Sequence, residues 1–192
     1  MDKRDNRSCV IVGASHGGSQ VAHRLRKLGW TGGITLVGEE SHLPYHRPPL
    51  SKDYLKGVKT ADAIHLVAEA KYRQENIDLR LGVRAEEIDA PNKKLRLENG
   101  ELLHYSRLVL ATGSRPRELP LPGADLGGVH YLRNIDDVDQ IRAGVKAGQR
   151  TVVIGGGYIG LEVAASLRML GMEVTVLEAR SRVLQRVTCE TV

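Results

Sequence analysis

Short apolar runs alternate along the chain with stretches of helical period. Ser8-Cys9-Val10-Ile11-Val12 is a nearly continuous apolar run closed by Gly13, the pattern of a buried parallel strand. Beyond Gly18, the apolar positions Val21, Ala22, Leu25 and Leu28 recur every three to four residues, which predicts a helix stopped at Gly29. Ile34-Thr35-Leu36-Val37 predicts a second strand, running into Gly38-Glu39. Strand, glycine turn, helix and strand in about 30 residues make a βαβ unit.

The middle of the chain is mixed. Ser51 is placed to cap a short helix through Leu55, residues 68–76 have a helical pattern, and residues 78–81 have that of a strand. Residues 84–89, 94–97 and 101–105 predict an antiparallel meander, with Asn99-Gly100 as a hairpin turn. Residues 107–111 are a further buried strand leading into Thr112-Gly113. Pro116, Pro120, Pro122 and Gly123 mark residues 114–128 as a loop or linker, and a helix is expected over 135–145. The opening pattern then returns: strand 151–154, glycine turn 155–160, helix 161–170 stopped by Gly171, and strand 173–177 ending at Glu178. The fold class is therefore α/β, with two Rossmann-like dinucleotide-binding domains at 1–114 and 115–192. The second is incomplete, because a doubly wound sheet needs more strands, and the chain is expected to be a fragment of a longer protein.

The glycines point to the ligand. In such a turn the first glycine allows the sharp exit from the strand, the second lets backbone approach a pyrophosphate, and the third lets helix and strand pack closely. The helix N-terminus then faces the negative charge with free N–H groups, and an acid after the next strand accepts ribose hydroxyls. Gly155, Gly157 and Gly160 meet this pattern in full, with Glu178 as the acid. Gly13 and Gly18 meet it with Ser15 in the middle place, where a serine still allows fairly close approach and offers a hydroxyl; Glu39 is the acid.

Composition narrows the field. Lys and Arg number 28 against 23 Asp and Glu, a net charge of +5 that suits an acidic partner. Aromatic residues make up only 4%, which argues against base-stacking platforms and nucleic acid. No apolar run reaches the roughly 20 residues of a membrane span, and the polar N-terminus resembles no secretory signal, so a cytoplasmic location is expected. Cys9 and Cys189 have no metal or redox spacing; Cys9 reads as a core residue and no disulfide is expected. His42 and His46 flank Pro44-Tyr45 in a loop, and no metal site is expected there.

Four stretches together carry a family resemblance over the whole chain. Gly13-Ala14-Ser15-His16-Gly17-Gly18 resembles the opening FAD motif of flavoproteins. Leu43-Pro44-Tyr45-His46-Arg47-Pro48-Pro49-Leu50-Ser51-Lys52 resembles a stretch of the ferredoxin-reductase-like flavoproteins. Leu110-Ala111-Thr112-Gly113-Ser114-Arg115-Pro116 is similar to their crossover, and Gly155 to Glu162 to their NAD motif. The resemblance implies a two-dinucleotide-domain flavoprotein in three-layer β-β-α style, with FAD and NAD as cofactors. It implies that Gly13, Ser15, Gly18 and Glu39 bind the ADP half of FAD, with His16, Gly17, Arg47 and Ala111 among the cofactor contacts. Ala85 would meet the adenine through its backbone, Thr112 and Gly113 would lie near the cofactor, and Arg133 would reach the FAD phosphates. Gly155, Gly157, Tyr158, Ile159, Gly160 and Glu162 would approach the nicotinamide cofactor, with Glu178 at the adenosine ribose.

Lys52 follows a rigid Pro-Pro segment, and Glu162 sits just past a phosphate-binding glycine. The resemblance places Lys52 beside the flavin ring and both residues where nicotinamide meets flavin, as the catalytic pair. They are expected to come from different domains and to meet as a buried pair, within about 4 Å or through a bridging water. The implied reaction passes electrons from NADH through FAD to a ferredoxin or rubredoxin-type iron–sulfur protein, in a protein that is a monomer when complete. The alternatives are a flavin-dependent redox or interaction protein like apoptosis-inducing factor, and an NADH oxidase or disulfide reductase of the same architecture. The last two need a redox cysteine near the flavin, and Ser41 and His42 occupy that region.

Overall fold

A computed structural model describes residues 7–189. Its elements in chain order are β1 (Ser8–Val12), α1 (His16–Lys27), β2 (Gly33–Gly38), α2 (Glu69–Gln74), β3 (Ile77–Leu81), β4 (Ala85–Asp89), β5 (Lys94–Leu97), β6 (Leu102–His104) and β7 (Arg107–Leu110), then α3 (Ile135–Ala143), β8 (Arg150–Ile154), α4 (Tyr158–Met169) and β9 (Glu173–Leu177). Two 3-10 turns cover Pro48–Ser51 and Asp62–Ile64. They group into two compact units: Met1–His46 with His65–Ser114, and Arg47–Ile64 with Arg115–Val192.

The first unit is built on a parallel sheet of order β3-β2-β1-β7. β1 is hydrogen-bonded on both sides, to β2 and to β7, which explains its unbroken apolar run. Alternate side chains leave the two faces of the sheet. Cys9, Ile11, Ile34 and Leu36 pack with Ala22 of α1 and Tyr72 of α2. Val10, Val12 and Val37 pack with Leu95 and Leu97 of β5, the middle strand of the antiparallel sheet β4-β5-β6. Helix, parallel sheet and antiparallel sheet thus form three layers, as the resemblance implies. The hairpin at Asn99-Gly100 is a three-residue loop: the Gly100 amide donates to the Leu97 carbonyl at 2.9 Å and Gly100 takes φ 85°.

The second unit pairs β8 with β9 in parallel and packs α4 against both. Val163, Ala164 and Leu167 of α4 are buried. α3 begins with a full capping box: the Asn134 side chain accepts from the Asp137 amide at 2.8 Å, and the Asp137 carboxylate accepts from the Asn134 amide at 3.0 Å. The turn Pro48–Ser51 packs on α3 and α4. The segment carrying Lys52, read from the sequence as part of the first domain, therefore belongs to the second unit, and the linear division at residue 114 does not describe it.

Two further elements differ from the sequence reading. α1 and α4 start at His16 and Tyr158, inside their glycine turns, because the glycines let the first helical turn press on the strand end. The apolar periodicity starts only later, once the helix has side chains to bury. Ser51 caps no helix; it ends the 3-10 turn and bonds elsewhere. No helix among the described residues is long and apolar enough to cross a membrane.

Candidate functional site

In the first unit, strand order runs one way from β1 to β2 and β3, and the chain returns to the other side of β1 with β7. Ligands of open parallel sheets bind at the carboxyl ends of the strands where the order reverses. Several candidates gather at that edge. Gly13 leaves β1 with φ 115°, and its amide donates to the Val37 carbonyl at 2.8 Å. A Cβ on Gly13 would stand 2.1 Å from the Ala111 carbonyl oxygen, and one on Gly18 would stand 2.0 Å from the Gly13 oxygen. Ala111 is itself tied to β1, its amide donating to the Val12 carbonyl at 2.7 Å. Thr112 and Gly113 follow β7 and are exposed, as is Glu39 just beyond β2. His16 opens α1, edge-on to the His46 ring with centroids 5.1 Å apart, and Gly17 sits beside it in the first turn.

The second unit repeats this construction. Gly155 leaves β8 with φ 111°, its amide donates to the Leu177 carbonyl at 2.7 Å, and a Cβ on Gly160 would stand 1.9 Å from the Gly155 oxygen. A Cβ on Gly157, by contrast, would meet nothing within 4 Å. The first glycine is therefore demanded by its backbone conformation and the third by the chain's own packing, whereas neither constrains the middle one. Tyr158 and Ile159 are exposed on the first turn of α4. Glu178, just past β9, accepts from the Gly156 amide at 2.8 Å and from the Arg180 amide at 2.9 Å. Those bonds, the Arg180 one first, hold its carboxyl below the usual carboxylate range.

The helix ends test whether a dinucleotide fits. α1 and α4 each run 12 residues, and the N-cap residues Ser15 and Gly157 make no side-chain cap bond. Of the other two helices, α3 is capped in full, while the six-residue α2, with Ala68 at its N-cap, also lacks a side-chain cap bond. The two glycine-turn helices thus keep first-turn amides unclaimed by a capping side chain, as a pyrophosphate requires.

Lys52 and Glu162 do meet: Lys52 Nζ lies 2.7 Å from Glu162 Oε2. Both sit in the second unit, so they do not come from different units as read from the sequence, and their side chains are 46% and 32% exposed rather than buried. The cause is the turn Pro48–Ser51, which lays Lys52 beside the first turns of α4. The Lys52 hydrogen bond, and after it one from Ser51, holds the Glu162 carboxyl below its ordinary range. Ser51 Oγ donates to Glu162 Oε2 at 2.6 Å, and Ser166 Oγ donates to the Ser51 carbonyl at 2.7 Å. Sequence reasoning singled out neither serine for this site; the signal available was that Glu162 and Ser166 are four apart on one helix.

Two other candidates, Arg47 and Arg133, are tied to each other, the Arg47 guanidinium meeting the Arg133 backbone. Arg47 donates to the Arg133 carbonyl at 2.6 Å, and the Arg133 amide donates to Asp137 at 2.7 Å. Ala85 opens β4 at a register shift against β5. Cys9 is buried, as its apolar run implies.

A family model described as pyridine nucleotide-disulphide oxidoreductase matches residues 7–192. The chain belongs to this family. Among its relatives in that family, putidaredoxin reductase CamA of Pseudomonas putida is 45% identical over 195 residues, covering 100% of this chain and 46% of that protein. Rubredoxin-NAD(+) reductase of Pseudomonas putida is 43% identical over 178 residues, covering 93% of this chain and 46% of the relative. The crystal structure of a ferredoxin reductase from Rhodopseudomonas palustris superposes with a TM-score of 0.92 at 42% identity, over 97% of this chain and 46% of that one. The chain spans somewhat under half the length of these oxidoreductases, and its fold is that of their FAD/NAD(P)-binding Rossmann-like part.

Proposed function

We propose that the protein carrying this chain is an FAD-dependent NADH reductase of the cytoplasm that passes electrons to a ferredoxin or rubredoxin-type iron–sulfur protein. The observation that carries this is the duplicated glycine turn, each copy ending in a helix without a side-chain cap and followed by an acid after the next strand. The family uses FAD and NAD(H). Relatives named for putidaredoxin and rubredoxin point to the acceptor class. The net charge of +5 suits acidic proteins of that kind.

We assign Gly13, Ser15, His16, Gly17, Gly18 and Glu39 to FAD, with Arg47, Ala85, Ala111, Thr112, Gly113 and Arg133. Gly155, Gly157, Tyr158, Ile159, Gly160 and Glu178 are assigned to NAD. Lys52 and Glu162 are assigned to the electron-transfer step. FAD, when bound, supplies the exchange between a two-electron donor and one-electron acceptors. The chain's own residues hold and orient: first-turn amides of α1 and α4 face phosphate, and the Lys52 ammonium balances negative charge as it develops in reduction. Glu162 keeps that ammonium in place.

Glu178 also sets a preference. Its carboxylate accepts a ribose 2′-hydroxyl and repels a 2′-phosphate. Of the two arginines that could hold that phosphate, Arg182 is committed to its own loop, donating to the Thr188 carbonyl at 2.6 Å and to Thr188 Oγ1 at 3.0 Å, while Arg180, exposed two residues past Glu178, works against the preference. Steady-state reduction of a ferredoxin by the full-length protein tests both points. NADH should support turnover with kcat/KM higher than NADPH by at least about tenfold, the factor that 1.4 kcal/mol provides. Equal or better use of NADPH would contradict the role of Glu178, and no acceptor reduction with either would contradict the reductase.

A further inference from the structure

Two of the buried polar residues of the described chain, Ser51 and Ser166, lie beside the lysine–glutamate pair, each 4% exposed. A lysine–glutamate pair exposed to 46% and 32% is, taken alone, a loose one: water competes for both charges and two long side chains must be ordered. Here it is not alone. Ser51 Oγ and Lys52 Nζ converge on the same oxygen, Glu162 Oε2, at 2.6 and 2.7 Å. The other acceptor near the Ser51 hydroxyl, the Pro48 carbonyl, is 3.4 Å away and competes poorly. Ser51 is itself fixed from behind, since Ser166, one turn along α4 from Glu162, donates to its carbonyl at 2.7 Å. α4 therefore holds Ser51 at two points, accepting through Glu162 and donating through Ser166.

We propose that Ser51 is a positioning residue, its buried hydroxyl pinning one oxygen of Glu162 so that the carboxylate holds the Lys52 ammonium in a single orientation. The inference rests on the assignment of Lys52 and Glu162 to the electron-transfer step. A hydrogen bond to a charged group is roughly twice as strong as one between neutral groups, and a donor already buried and held in place has little freedom left to lose in making it. Ser51 thereby does for the pair what burial of the pair itself would otherwise do.

The test uses full-length, FAD-loaded protein and the variants Ser51→Ala, Ser166→Ala, Glu162→Gln and Ser51→Ala/Glu162→Gln. The Glu162 carboxylate is followed by NMR of 13C-labelled glutamate against pH, assigned by its disappearance in Glu162→Gln. Flavin reduction by NADH is followed by stopped flow across the same pH range. Ser51→Ala should raise the midpoint of Glu162, move the acid limb of flavin reduction upward in pH, and slow reduction by about tenfold, as loss of a hydrogen bond to a charged group implies. Adding Ser51→Ala to Glu162→Gln should change the rate no further. Ser166→Ala should lower the melting temperature while leaving the Glu162 midpoint near that of the unsubstituted protein. An unchanged Glu162 midpoint in Ser51→Ala would overturn the proposal, and so would a moved midpoint with unchanged reduction at every pH. Absence of any NADH reduction in the unsubstituted protein would instead contradict the reductase itself. The two failures are distinct, because the titration of Glu162 is read without NADH.

Discussion

Gly13→Ala is expected to lower the stability of the first unit by about 3–5 kcal/mol and to abolish retention of FAD. Two costs fall on one atom. Gly13 has φ 115°, a conformation that L side chains rarely adopt. The added Cβ would also stand 2.1 Å from the Ala111 oxygen and 2.5 Å from its carbonyl carbon. Those are backbone atoms, held to β1 by the 2.7 Å bond from the Ala111 amide to the Val12 carbonyl, so they cannot step aside as a flexible side chain would. Relief requires β1 and β7 to part at the edge where the cofactor is assigned. Gly17→Ala is the matched control: its Cβ would meet only the Ala111 Cβ, at 3.6 Å, in ordinary contact. Alanine is about 1 kcal/mol better than glycine inside a helix, so this variant should melt no lower than the unsubstituted protein. Thermal melting and FAD content of the two variants check the contrast; a Gly13→Ala protein that melts normally would refute the close approach.

Lys52→Ala should slow flavin reduction by NADH about tenfold to a hundredfold while changing FAD affinity by no more than a few-fold. The separation follows from when the charge acts. Before reduction the ammonium holds Glu162, 2.7 Å away; in the proposed role it would offset negative charge only once a bound flavin is reduced. The exposure of the pair sets a second expectation. Breaking a buried pair costs several kcal/mol, but at 46% and 32% exposure the loss of stability should stay within the roughly 0–1 kcal/mol of a surface pair. Stopped-flow reduction, FAD titration and thermal melting of the one variant resolve these effects. Unchanged reduction would remove Lys52 from the electron-transfer step, and a large drop in melting temperature would show it to be structural.

The parts of this fold that are legible in the sequence are those set by local pattern. The buried run at Ser8–Val12, the glycines at 13, 18, 155, 157 and 160, and the acids Glu39 and Glu178 all fall within βαβ units whose contacts are close in sequence. The meander was legible for the same reason, because its hairpins are short. What escaped depends on distant pairing. Ser51 and Glu162 are 111 positions apart, and no periodicity near Ser51 shows that its hydroxyl belongs to α4 instead of capping a helix. The same long-range packing draws Arg47–Ile64 into the second unit, which a linear division cannot express. It also leaves Lys52 and Glu162 half-exposed, since the 3-10 turn lies over α4 without covering the ion pair. The early starts of α1 and α4 escaped because glycine carries no hydrophobic signal; what places it there is the approach of Gly18 and Gly160 to the carbonyls of Gly13 and Gly155.

The claim on which the rest depends is that the duplicated turns bind dinucleotides, the first of them FAD. Its most direct measurement is the visible spectrum of the full-length protein after incubation with FAD and removal of free cofactor by gel filtration. The account predicts a yellow protein with flavin absorbance that stays with the polypeptide and is released as free FAD on denaturation. A colourless protein that takes up no FAD at any concentration tested would contradict it.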